Sequence, residues 1–172
     1  METQVEGFAG GADEWNTFVR AQPGWTHFHL FGWKTVIERV KLKPQFKLLK
    51  TVPGIGHILA LTIMLETGEI TRFPTVGDYA SYCRCVGSKK ISNGKKKGSG
   101  NTKNGNKHLS WAFVEAANFA VRYSVKINSF YQRKKFKTNG IVAIKAVAHK
   151  LCRACYYIIK DQVAFDVSKA FA

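Results

Sequence analysis

Apolar residues recur at spacings of three and four along most of this chain, which predicts helices separated by short breaks. Asp13 caps a short helix over Glu14–Ala21, stopped by the Pro23-Gly24 turn. A second helix is predicted over Gly32–Val40, with Trp33, Val36, Ile37 and Val40 on one face. Gln45–Thr51 reads as a third, short helix, followed by the break Val52-Pro53-Gly54-Ile55-Gly56 and an apolar helix over His57–Thr67, with Gly68 suited to its C-terminal cap. Thr75, after Pro74, caps another helix running to about Arg84. Lys107–Tyr123 keeps Leu109, Ala112, Phe113, Ala116, Ala120 and Tyr123 on one apolar face. A basic helix, Ile127–Lys137, is broken by Asn139-Gly140. The last helix, Ile141–Lys160, carries Ile141, Ile144, Ala148, Leu151, Cys155 and Ile158 at alternating spacings of three and four. Between Val86 and Asn106 no helical period survives. The expectation is an all-α fold: a helix-hairpin-helix, a long basic loop and three C-terminal helices.

Composition sharpens the division of the chain. Hydrophobic residues make up 45% of 172, enough for a packed core. Residues 1–45 hold Trp15, Trp25, Phe28 and Trp33, which two short helices cannot bury without a partner surface, so this segment is expected to pack poorly and residues 46–172 to form the main domain. No window offers the roughly 18 uninterrupted apolar residues of a membrane span. The acidic, Gly-rich start lacks the pattern of a secretory signal, so a cytoplasmic protein without a membrane partner is expected. In that compartment disulfides are disfavoured. Cys83, Cys85, Cys152 and Cys155 are expected as buried structural thiols, with a zinc site including His149 as the alternative.

Charge changes the picture most. Residues 1–40 carry three basic and five acidic side chains, a balance of −2, whereas the remainder carries 24 basic and six acidic, +18. A folded domain this lopsided repels itself, so the excess points to a polyanionic partner. The break contributes Gly54 and Gly56, whose turn and following helix N-terminus can hold a phosphate without reading sequence. An ordinary Pro-Gly turn is the plainer alternative. The stretch from Arg84 to Lys107 contains Arg84, Lys89, Lys90, Lys95, Lys96, Lys97, Lys103 and Lys107 and no acid. A solvated lysine run would look the same. Its place between two well-patterned helices favours contact with a phosphate backbone.

Three runs in order carry a family resemblance: LLKTVPGIGHILALTIMLETGEITRFPT, YASYCRCV and ISNGKKKGSGNTKNGNKHLSWAFVEAANFA. Over residues 46–166 the chain resembles the C-terminal domain of transposases from insertion-sequence families 110, 116, 902 and 1111. The resemblance implies DNA as partner, a structured guide RNA from the element, and a homo-oligomer in the full-length family. It matches Ser92 to the family's nucleophilic serine. The family commonly has Ser-Gly where this chain has Ser-Asn-Gly, which keeps Ser88 and Ser99 as fallback candidates. It also matches Lys103, Gly105 and Asn106 to the run before a helix, which could set that helix's N-terminus against a phosphate. The family's metal-dependent chemistry belongs to an N-terminal ribonuclease-H-like domain whose four acids hold a divalent metal such as Mg2+. Residues 1–45 hold no such strand, so no metal and no cofactor are expected in this chain. It reads as a truncated transposase, inactive alone. The run EWNTFVRAQPGWTHFHLFGWKTVIERV (residues 12–40 in all) resembles instead the opening of Fem-type acyltransferases of the GNAT superfamily, which suggests a gene fusion. Two other readings compete: a non-catalytic structural nucleic-acid module of ribosomal or repair type, and an acyltransferase fragment.

Overall fold

The computed structural model describes residues 11–21, 31–87, 89–99 and 104–171. Its contacts divide the chain into two compact units, Met1–Leu42 and Lys43–Ala172. The first holds α1 (Ala12–Ala21) and α2 (Phe31–Leu42). Glu14 accepts from the Gly11 backbone N–H, which tightens the start of α1. On α2 the expected apolar stripe is incomplete. Val36 is exposed and Ile37 and Val40 are only partly buried, while Trp25 and Phe28 lie outside the described residues.

Among the described residues the second unit is all-α apart from one hairpin. It runs α3 (Pro44–Leu49), α4 (His57–Thr67), a 3-10 turn (Ile70–Arg72), α5 (Val76–Tyr82), strands β1 (Lys89–Ser92) and β2 (Lys95–Ser99), α6 (Lys107–Tyr123), α7 (Val125–Lys137), α8 (Gly140–Asp161) and a short α9 (Val167–Ala170). Local chemistry explains most boundaries. Pro44 opens α3, where its missing N–H costs nothing. Gly68 ends α4 at φ 62°, and its N–H bonds the Met64 carbonyl. Thr75 and Asp78 form a full capping box at the start of α5. Ser124 and Asn139 cap α7 and α8 through their side-chain oxygens.

Helix α8 is the hub, buried along Ala143, Val147, Leu151, Cys152, Cys155 and Ile158, and α3, α5, α6 and α7 pack around it. Helix α6 lays Leu109, Ala112, Phe113, Ala116, Ala117 and Ala120 into the same core. The small residues let neighbouring backbones come close. Phe73, Tyr79, Phe113 and Tyr156 form an aromatic cluster at centroid separations of 5.2–6.3 Å. Its two phenols are satisfied: Tyr79 shares a 2.9 Å hydrogen bond with Thr67, and Tyr156 donates to the Phe73 carbonyl at 3.1 Å. Burial, with the nearby cysteines, pushes the Tyr79 phenol well above its ordinary pKa, so it stays neutral.

Several expectations are corrected. The loop between α5 and α6 is not structureless, since it contains β1 and β2. The 3-10 turn and α9 were not foreseen. Tyr123 and Ile141, placed on apolar faces by their spacing, are 75% and 74% exposed. Each sits at the end of its helix, beyond the reach of the core.

Candidate nucleic-acid interface

The glycine turn between α3 and α4 is closed by backbone bonds: Thr51, Val52 and Ile55 N–H donate to Leu48, Leu49 and Val52 carbonyls. Val52 and Ile55 point inward and are buried, which leaves the glycines to face α6 or solvent. Gly54 has φ 89°, and a Cβ there would sit 2.3 Å from the Ala116 carbonyl oxygen and 2.7 Å from the Ala120 nitrogen. The turn therefore rests directly on the α6 backbone, and Gly54 is demanded by that approach as well as by its dihedral. Gly56 is different. It is exposed, a Cβ would meet nothing within 4 Å, and as N-cap of α4 it offers no side-chain cap. The first N–H groups of α4 thus carry no side-chain partner, with His57 exposed beside them.

The hairpin lies across the stretch in which Ser92 and the lysines were singled out. β1 and β2 pair antiparallel with Lys89 opposite Ser99, Lys90 opposite Gly98, Ile91 opposite Lys96 and Ser92 opposite Lys95, with a bulge between Lys90 and Ile91. Asn93 and Gly94 have φ 54° and 72°, the two left-handed residues of a type I′ turn. Ser92 closes that turn on one side and Lys95 on the other, and both are exposed. The extra asparagine of the Ser-Asn-Gly run is thus a turn residue. Lys89, Lys90, Lys96 and Lys97 lie along the two strands. Ser88 and Lys103 fall outside the described residues.

Arg84, Gly105 and Asn106 form a clamp at the foot of this segment. Arg84, at φ 55°, donates from Nε and a terminal nitrogen to the Gly105 carbonyl at 3.1 and 2.8 Å. Gly105, at φ 93°, has no room for a Cβ, which would lie 2.5 Å from the Tyr82 carbonyl oxygen. That carbonyl accepts from the Asn106 N–H at 2.7 Å. The Asn106 Oδ1 accepts from His108 and Leu109 N–H at 2.8 and 3.0 Å, and its Nδ2 donates to Glu66 at 2.6 Å. The α6 N-terminus therefore has its early donors occupied by Asn106 rather than left open for a phosphate. Lys107 begins α6 and is exposed. Glu66 and Tyr82 had no sequence signal tying them to this site.

Burial raises the Cys152 thiol well above its ordinary pKa, and contact with Cys83 and Cys85 adds to the shift. Burial likewise raises Cys155. Three of the four cysteines are fully buried, Cys85 partly so. Among the described residues no three histidines, cysteines or carboxylates are arranged to hold a metal ion, so neither zinc nor a divalent-metal cage is assigned to these side chains.

Fold and surface together define a basic helical domain that carries a lysine-bearing β-hairpin and, separately, a glycine turn with no side-chain cap. The sequence model of the IS116/IS110/IS902 transposase family matches residues 46–132, just over half the chain. The chain belongs to that transposase family. No curated protein matches it, and nothing in either comparison supports the acyltransferase likeness of residues 12–40. No described helix is long and apolar enough to cross a membrane.

Proposed function

We propose that this chain is the DNA-handling part of an insertion-sequence transposase, in which the β1–β2 hairpin lies against the sugar-phosphate backbone and Ser92 is the nucleophile. The observation that carries the reading is the position of Ser92: exposed at a two-residue turn, directly across from Lys95, on a hairpin whose strands are mostly lysine. A serine attacking a phosphodiester needs cations to stabilise the charged, crowded transition state, and the neighbouring lysines suit that need. The turn before α4 would hold a second phosphate on its uncapped N–H groups, giving the helix-hairpin-helix a role in grip rather than in sequence reading. Lys107, exposed at the start of α6, would add a further cation to this surface.

Arg84, Gly105 and Asn106 take a supporting role in this reading, since their groups are engaged within the protein. No metal-dependent step is assigned to the described residues. The ribonuclease-H-like domain that the family resemblance implies would supply that chemistry, and a structured guide RNA and self-association would belong with it. The test is a covalent one. Combined with such a domain and guide RNA, the protein should form a DNA adduct that Ser92→Ala abolishes. An adduct that survives the substitution assigns the nucleophile elsewhere.

A further inference from the structure

A second surface adjoins the glycine turn and is chemically unlike the hairpin. Trp111, Glu115, Phe119 and Tyr123 follow one another at four-residue spacing along α6, as a ridge beside its buried face. At a rise of about 1.5 Å per residue, each step advances about 6 Å. Trp111 is 52% and Tyr123 75% exposed. The Phe119 and Tyr123 rings are parallel to within 8° at a centroid separation of 6.4 Å, and the Arg122 guanidinium lies 5.9 Å from the Phe119 ring centre. These side chains and the Lys50–Leu59 turn line an open groove of about 710 Å3.

We propose that this groove binds unpaired nucleotides, with the aromatic side chains stacking on bases and Glu115 reading a base edge. The proposal rests on the nucleic-acid role argued above and adds the strandedness and base preference of the ligand. Glu115 is the only acid between Asp78 and Asp161. It lines the groove and has no hydrogen-bond or ion-pair partner among the described residues, although the chain beyond residue 40 carries 24 cations. A carboxylate left unneutralised in such a field suits a ligand that brings hydrogen-bond donors. The Watson–Crick edge of guanine offers two adjacent N–H donors to one carboxylate. Lys50 and the uncapped α4 N-terminus at the rim suit the phosphates on either side. An apolar protein partner would instead bury Glu115 and Lys50 without satisfying either, at a desolvation cost. Base stacking on aromatic rings tolerates any base and is the usual basis of single-strand affinity.

The intact protein is titrated, by fluorescence anisotropy, with labelled eight-nucleotide DNA strands, one guanine-rich and one all-thymine, and with a labelled duplex. The guanine strand should bind more tightly than the thymine strand. The double variant Trp111→Ala/Tyr123→Ala, both positions being exposed, should lose roughly tenfold or more in single-strand affinity and keep its duplex affinity within about twofold. Glu115→Gln should erase the guanine preference while thymine-strand binding persists. Duplex binding intact with single-strand binding unchanged in the double variant overturns the groove and leaves the hairpin reading standing. A change of sedimentation in the double variant, without loss of single-strand binding, overturns it in favour of a protein surface. Absence of duplex binding in the unmodified protein counts separately, against the hairpin.

Discussion

The side-chain amide of Asn106 donates to the Glu66 carboxylate at 2.6 Å while its oxygen caps α6. One residue thus ties the start of α6 to the last turn of α4, forty positions earlier in the chain. The hairpin that carries Ser92 springs from between α5 and α6, so this clamp fixes its downstream root.

Replacing Asn106 by alanine removes both the cap and the donor to Glu66. The expected loss is about 1–2 kcal/mol of stability, measured by urea unfolding. Asn106→Asp keeps the capping oxygen but sets a second carboxylate against Glu66, so its deficit combines the lost donor with like-charge repulsion.

The two turn glycines should separate cleanly. Gly54→Ala forces a Cβ against the α6 backbone at a positive φ and should cost about 2–4 kcal/mol. Gly56→Ala meets open space and should leave the thermal midpoint within a few degrees. If a phosphate approaches this turn closely, Gly56→Ala should nevertheless weaken DNA binding severalfold in a filter or anisotropy assay.

The helices were legible because their signals are local. Thr75, Gly68, Asn139 and the Leu109–Ala120 stripe each act within a turn or two of themselves. The hairpin was not, because a half-buried strand is recognised by apolar alternation, and here the alternating positions are lysine and glycine. The Asn93-Gly94 pair was the available sign, since it favours a type I′ turn wherever two strands can meet. The Arg84–Gly105 and Asn106–Glu66 contacts span 21 and 40 residues, and pairings at such range leave no periodic trace. The surface of α6 was misread at Tyr123. Its spacing belongs to the apolar face, but as the last residue of α6 it overruns the core and lies parallel to the Phe119 ring instead.

His149 should give the domain an acid sensitivity. Burial, helped by the nearby Arg153 and Lys150 charges, lowers its pKa from the ordinary 6.5. The folded state therefore binds fewer protons than the unfolded chain between that lowered value and about 6.5, and stability rises with pH across the window. The contribution is complete above about 6.5 and lost below the lowered pKa. Chemical unfolding at a series of pH values should show this slope in the parent protein and a flatter one in His149→Gln.

The central claim, that the lysine hairpin lies on the phosphate backbone, is tested most directly by the salt dependence of duplex binding. Each phosphate contact contributes about −0.9 to the slope of log affinity against log salt. The parent protein should show a slope of several units, and replacing Lys89, Lys90, Lys95 and Lys96 with alanine should reduce it by roughly two units or more. An unchanged slope in the four-lysine variant, or no binding by the parent at low salt, would contradict the account.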